Sequence, residues 1–107
     1  MKNATHKKAY MQNHERLADI FKALSNSKRI NILMALKNES CRVGNMTECV
    51  DEPFPFVSQQ LAILKRHGIV DKTKNKKNEV FYQITDEFAA KLLELVEEYD
   101  IRAVNGQ

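Results

Sequence analysis

Residues 43–84 constrain this chain more than any other part of it. A short helical pattern begins at Val43 and is broken by Asp51-Glu52-Pro53-Phe54-Pro55. A second pattern opens with Val57-Ser58-Gln59-Gln60-Leu61, and a lysine-rich stretch ending at Ile84 then alternates like a hairpin. Residues that precede proline avoid the helical region, so the Pro53 to Pro55 segment reads as a turn. Pro55 suits the first turn of the following helix, where its missing N–H costs nothing.

The rest of the chain reads as helix. Tyr10, Leu17, Ala18, Phe21 and Leu24 recur at helical spacing from about Thr5 to Leu24. Ser25-Asn26-Ser27 interrupts them and offers N-caps to a second helix reaching about Leu36, with Ile30, Leu33, Met34 and Leu36 inward. Cys41-Arg42-Val43 is long enough only for a bridge strand. A third helix is predicted from about Gly44 to Val50, burying Val43, Met46 and Val50, and a fourth to about His67, burying Val57, Leu61 and Leu64. Gly68 falls where a left-handed C-cap is expected. Strands are predicted over Ile69 to Lys74 and Glu79 to Ile84, with the turn at Asn75-Lys76-Lys77-Asn78. The last helix starts near Thr85 or Asp86 and buries Phe88, Leu92, Leu95, Val96 and Tyr99. The order is ααααββα: mainly α with a small β-hairpin, a winged helix-turn-helix.

A chain of 107 residues is expected to form one domain, residues 1–107, around a single core. No apolar run approaches the roughly 20 residues of a membrane span, and the polar, basic start lacks the apolar centre of a signal peptide. A cytoplasmic location follows as an expectation, with Cys41 and Cys49 as free thiols in a reducing compartment. No paired acid and base or nucleophile constellation appears, so an enzyme is not expected, and no cofactor is implied. The net charge of +3 is unevenly spread. Residues 1–36 carry +5, residues 37–56 carry −2, residues 57–85 carry +4 and residues 86–107 carry −4. Positive charge coincides with the proposed reading half, although solvated helix faces also look like this.

Between the inward Val57 and Leu61, Ser58, Gln59 and Gln60 are expected to project from the fourth helix, flanked by Phe56 and Lys65. Gln pairs two-pronged with adenine and Ser contacts phosphate or base, at the helix start that enters a major groove. Alone, the tripeptide reads more readily as a solvated polar face. Lys72, Lys74, Lys76 and Lys77 behind it change that balance. Alternation of Lys72, Lys74 and Lys76 predicts ammonium groups on one side of a ribbon, where they neutralise phosphates without reading sequence. Lysines also protect a bare edge strand, which is the simpler account of the ribbon by itself. The expected partner is double-stranded operator DNA.

The apolar stripe of the last helix exceeds what the remaining elements can cover. With the first helix it makes a natural dimer surface, through Tyr10, Leu17, Phe88, Leu92, Leu95 and Tyr99, unless both simply complete the monomer core. Cys41 and Cys49 bracket the third helix. A disulfide between them needs Cα atoms within about 7 Å and is expected to distort that helix, which makes it a candidate switch. Arg42 favours the Cys41 thiolate and Glu48 opposes that of Cys49. Both cysteines are otherwise small buried hydrophobes, or ligands of a thiophilic metal or metalloid. His6, His14 and His67 read as surface or packing residues, with His6 and His14 able to complete a cross-subunit thiolate site.

These residues resemble the ArsR/SmtB family of bacterial repressors. Ala23-Leu24-Ser25-Asn26-Ser27-Lys28-Arg29-Ile30-Asn31-Ile32-Leu33 is similar to that family's "AL…R..IL", and Val43-Gly44-Asn45-Met46 to its "VGDL". Val57-Ser58-Gln59-Gln60-Leu61-Ala62-Ile63-Leu64-Lys65 resembles "VSQHLAxLK", Gly68-Ile69-Val70 "GLV", and Val80-Phe81-Tyr82-Gln83-Ile84 "VYYxL". The resemblance spans roughly residues 17–99. It implies a homodimeric repressor, joined through its first and last helices and released from a near-palindromic operator by an inducer. Asp51 stands where a glycine is frequent, and Phe54 and Phe56 add bulk.

The family's inducer sites match poorly. Of its last-helix zinc site only Asp86 is present; Phe88, Tyr99 and Arg102 occupy the other positions. Its third-helix thiolate positions fall on Arg42, Gly44 and Thr47, with both cysteines out of step. No metal site is therefore assigned. Relatives that sense reactive sulfur place one cysteine in the last helix, which has none here. A thiol-directed signal, oxidant or reactive sulfur, at Cys41 and Cys49 is the expected inducer. The alternatives are a metal- or metalloid-responsive repressor using the same thiols, or a winged-helix protein-interaction module that does not bind DNA.

Overall fold

Ser25 and Asn26 close one helix and open the next. Ser25 Oγ donates to the Lys22 carbonyl at 2.8 Å, and Asn26 Oδ1 accepts from the Arg29 N–H at 3.1 Å, the bond of an N-cap. On either side lie α1 (Ala4–Leu24) and α2 (Ser27–Lys37). The computed structural model describes residues 4–37 and 45–105, with side chains described over 14–37 and 45–101. The remaining elements are α3 (Met46–Val50), α4 (Phe54–Arg66), β1 (Val70–Lys74), β2 (Val80–Ile84) and α5 (Glu87–Asn105). This is the predicted order, with a two-stranded antiparallel hairpin as its only sheet among the described residues.

Among the described residues, thirteen buried apolar side chains form the core, including Ile20, Ala23 and Leu24 of α1, Ile32 and Leu33 of α2, and Met46 of α3. Val57, Leu61 and Leu64 of α4, Ile69, Val70, and Ala89 and Leu93 of α5 complete it. Several expected inward faces are shifted. In α1, Ile20 and Ala23 are buried while Ala18 and Phe21 are exposed. In α2, Ile32 joins Leu33 at the centre, and Ile30, Met34 and Leu36 are half-buried. In α5 the small Ala89 and Leu93 face the core, and Phe88, Leu95 and Tyr99 do not. The reason is geometric: each stripe is wider than the face its neighbours cover, so apolar spacing alone does not select the buried edge.

Asp51 ends α3 in the left-handed conformation, with φ 56°. That accounts for a glycine preference at this position, and for aspartate as a tolerated substitute. Asp86 caps α5, its Oδ2 accepting from the Ala89 N–H at 2.8 Å. Lys37 joins α2 to α5 through Glu97 Oε1 at 2.8 Å, a bond that raises the Lys37 pKa above its ordinary value. No helix among the described residues is long and apolar enough to cross a membrane.

Candidate nucleic-acid interface

Pro53 adopts an extended backbone and accepts the first helical bond, from Val57 N–H at 3.1 Å, so α4 begins at Phe54 with Pro55 in its first turn. Val57, Leu61 and Leu64 fasten one face of the helix to the core. Ser58, Gln59, Ala62 and Arg66 lie exposed on the other, with Lys65 also exposed. Phe56 is half-buried, while Phe54 is exposed.

Gln60 departs from the expected outward set. It is only 8% exposed, and its Oε1 accepts from Arg29 Nε at 2.9 Å. Steps of about 100° per residue bring position i+3 back to the face of Val57, so Gln60 shares the buried side rather than that of Gln59. Burial of its amide is tolerated because the Arg29 guanidinium satisfies it, while Arg29 also donates to the Ala23 carbonyl at 3.2 Å.

The end of α4 is fixed with equal definition. Gly68 N–H donates to Lys65 O at 2.9 Å and Ile69 N–H to Leu64 O at 3.0 Å, with Gly68 at φ +72°. These are the two bonds of a Schellman C-cap, and Leu64 and Ile69 supply its apolar contact. The Ile69 carbonyl then accepts from the N–H groups of Thr85 and Asp86 at 2.9 and 3.3 Å, binding the base of the hairpin to the start of α5.

In the hairpin, Lys72 pairs with Tyr82 and Lys74 with Val80, and every residue of β1 after Val70 is exposed. Alternation stops at Lys74. Lys76 does not extend the one-sided row as expected, because it lies in the turn with Lys77. Asn75 organises that turn: its Oδ1 accepts from the N–H groups of Lys77 and Glu79 at 2.9 and 3.0 Å, and its Nδ2 donates to Glu79 Oε1 at 2.7 Å. Asn78 takes the left-handed position at φ 64°, the usual closing residue of a three-residue hairpin loop. Two lysines thus stand on the strand and two at the tip.

Three cations of residues 1–36 are engaged with α4 and its flanks. Lys28 pairs with Glu52 before α4, Arg29 holds Gln60 in its middle, and Arg16 reaches the carbonyls of His67 and Gly68 at its end. Lys65, Arg66 and the four hairpin lysines are exposed on α4 and the hairpin, with Lys65 Nζ 3.8 Å from Asp71 Oδ1. The sequence marks Phe54 only for its bulk and does not mark Arg66; their exposure on α4 follows from the placement of the buried face.

The expected dimer residues divide. Phe88, Leu95 and Tyr99 are exposed, the last two at 58% and 69%, and Leu17 and Leu92 are half-buried. Tyr10 lies in α1, outside the described side chains. Phe21, exposed beside them, meets Phe88 edge-on with ring centroids 6.0 Å apart. An apolar surface thus runs continuously from α1 to α5.

Cys49 is exposed and disulfide-bonded, so it is neither a free thiol nor a buried hydrophobe. Met46–Val50 around it is helical. Cys41, the second cysteine of the sequence, lies outside the described residues, as do Arg42, Val43 and Gly44. Asp86, the one carboxylate matching the last-helix zinc site, is engaged through one oxygen by the α5 cap and through the other by Arg16 at 3.1 Å.

Residues 26–72 match the family model described as bacterial regulatory protein, arsR family. The HTH-type transcriptional regulator MJ1325 of Methanocaldococcus jannaschii, itself uncharacterized, is 36% identical over 82% of this chain and 99% of its own length. The chain belongs to the ArsR family. Among solved structures, reduced HlyU from Vibrio cholerae is similar with a TM-score of 0.75 and 26% identity, over 86% of this chain and 96% of that one. A homodimeric winged helix-turn-helix DNA-binding domain, Mb0332 of Mycobacterium bovis, shares the fold, with a TM-score of 0.70 and 24% identity over 94% and 91% of the two chains. This ArsR-family chain therefore has the winged helix-turn-helix architecture, with α4 in the recognition position and β1–β2 as the wing.

Proposed function

We propose that this chain is a transcriptional repressor that binds a near-palindromic operator as a homodimer and is released by a thiol-directed signal. The observation that carries the reading is the outer face of α4. Ser58 and Gln59 stand exposed near its start, on a helix fastened from behind by Val57, Leu61 and Leu64, with the lysine wing following directly. Gln59 supplies a two-pronged donor and acceptor for adenine, and Ser58 bonds base or phosphate. Phe54 adds the kind of apolar contact that a thymine methyl takes. Lys65, Lys72, Lys74, Lys76 and Lys77 neutralise phosphates and set affinity without sequence. Gln60 has no reading role; it positions the helix.

Pairing through Phe21, Phe88, Leu95 and Tyr99 buries the surface left open on α1 and α5. A two-fold axis there sets two α4 helices on successive major grooves, about 34 Å apart, and repression follows from occupation of promoter DNA. The signal acts at Cys49, with Cys41 as its partner thiol. Met46, three residues from Cys49, is wholly buried in the core, and α3 packs against both α2 and α4. Interconversion of dithiol and disulfide therefore acts on the support of the reading helix.

The test is retention of the full chain on DNA from its own promoter region against random DNA at moderate salt. Reduced, oxidised, persulfidated and metal-loaded protein are run side by side. Selective retention supports the repressor reading, and equal retention favours an interaction module. A response confined to the metal-loaded sample replaces the thiol signal with a metal one.

A further inference from the structure

Arg16 of α1 is exposed, yet both terminal nitrogens of its guanidinium are engaged. Nη1 donates to the His67 carbonyl at 2.7 Å and meets Asp19 Oδ2 at 3.4 Å. Nη2 donates to Asp86 Oδ1 at 3.1 Å and reaches the Gly68 carbonyl at 3.4 Å. Apart from Asp19, its partners are 51 to 70 residues away along the chain, at the C-terminal end of α4 and the N-cap of α5. His67 Nδ1 lies 2.9 Å from Asp19 Oδ1, a second tie between α1 and the same end of α4.

We propose that Arg16 is a positioning residue for DNA reading, a clasp that holds the end of α4 against α1 and α5. The proposal rests on the repressor reading above. Three features make this one side chain suited to the task. A planar guanidinium presents donors in a fixed fork, so it can serve carbonyls and carboxylates at once, whereas an ammonium acts as a point. Cation-to-carbonyl bonds at a helix C-terminus are favoured by the backbone partial charge there. Asp86 divides its oxygens between the α5 cap and Arg16, so the start of α5 and the end of α4 share one bonded cluster.

The site also depends on Gly68. A Cβ there would approach Arg16 Nη2 to 3.3 Å, so glycine provides both the left-handed turn and room for the guanidinium. The consequence is a direct link between the α1–α5 pair that faces a second copy and the helix that faces bases. A shift of α1 or α5 at the dimer surface is carried to α4 through this cluster. Losing the clasp therefore lowers operator affinity through the orientation of α4, without removing a phosphate contact.

The experiment compares wild type, Arg16→Gln and Arg16→Lys on operator and random DNA across a salt series. Sedimentation and amide exchange are measured on the same full-length proteins. Arg16→Gln is expected to weaken operator binding by roughly tenfold, within the ordinary range of coupling between sites. Its salt slope, random-DNA affinity and dimer mass remain those of wild type. Exchange at Gly68 and Ile69 accelerates, while that of Ile32 and Leu33 in α2 does not. Arg16→Lys is expected to behave like Arg16→Gln. If Arg16→Gln folds poorly, Asp86→Asn keeps the α5 cap while weakening the clasp and should show a smaller loss of the same kind.

Wild-type operator affinity in Arg16→Gln would overturn the proposal, as would full recovery by Arg16→Lys. An equal loss on both DNAs with a shallower slope would make Arg16 a phosphate contact instead. Should wild type fail to prefer operator DNA, the repressor reading falls. Exchange at Gly68 and Ile69 then judges the clasp alone: acceleration supports it and an unchanged rate refutes it.

Discussion

Arg29 Nε donates to Gln60 Oε1 at 2.9 Å, so a cation of α2 holds the middle of α4 from inside. Adjacent residues Gln59 and Gln60 thereby take opposite duties, one facing solvent and the other facing the core. Gln60→Ala should leave the Arg29 guanidinium short of an acceptor and cost about 1–3 kcal/mol of stability, measured by urea unfolding. Unchanged stability would contradict the positioning role.

Gln59→Ala should do the reverse. An exposed substitution moves stability by no more than about 0.5 kcal/mol. Loss of a two-pronged base contact removes about 1–3 kcal/mol of discrimination at one base pair. Competition binding across single-base operator variants reads this directly, and a mutant with wild-type selectivity would exclude Gln59 from base reading.

Replacing Lys74, Lys76 and Lys77 by Gln should weaken binding to all DNA alike. Each phosphate contact contributes about 0.9 to the slope of log affinity against log salt, so the slope should flatten by up to nearly three. An unchanged slope would remove the wing from the interface.

The two-fold assembly is tested on α5. Leu95→Glu places a charge on an apolar surface that is 58% exposed in the single chain, so it should spare the fold. Sedimentation should show a monomer, and affinity for a two-half-site operator should fall towards that for one half-site. A dimer of wild-type strength would move the interface elsewhere.

How much of this was legible beforehand follows the range of the interactions. Element order, the Gly68 cap and the Asp86 cap depend on neighbours a few residues apart, and the predicted helices and strands agree with the structure to within a few residues. Gln60 lies between two inward residues in sequence, which suggests an outward position, whereas helical rotation returns it to the side of Val57. The spacing of Phe88 and Tyr99 predicts burial, yet both are exposed, because apolarity does not tell a covered edge from an open one. The role of Arg16 is not legible in the sequence: two of its four acceptors are backbone carbonyls 51 and 52 residues distant, which no side-chain pattern announces. Lys28 and Arg29 likewise have partners, Glu52 and Gln60, that lie 24 and 31 residues away.

Cys49→Ser should make operator affinity indifferent to oxidation and reduction if the switch runs through that sulfur. A variant that still responds would place the sensor elsewhere.

The most direct test of the central claim is a salt titration of the full chain on its own promoter DNA and on random DNA of equal length. The account predicts tighter binding to the promoter at every salt concentration, with a steep loss of affinity on both DNAs as salt rises. Equal affinity for the two DNAs, or binding insensitive to salt, would contradict it.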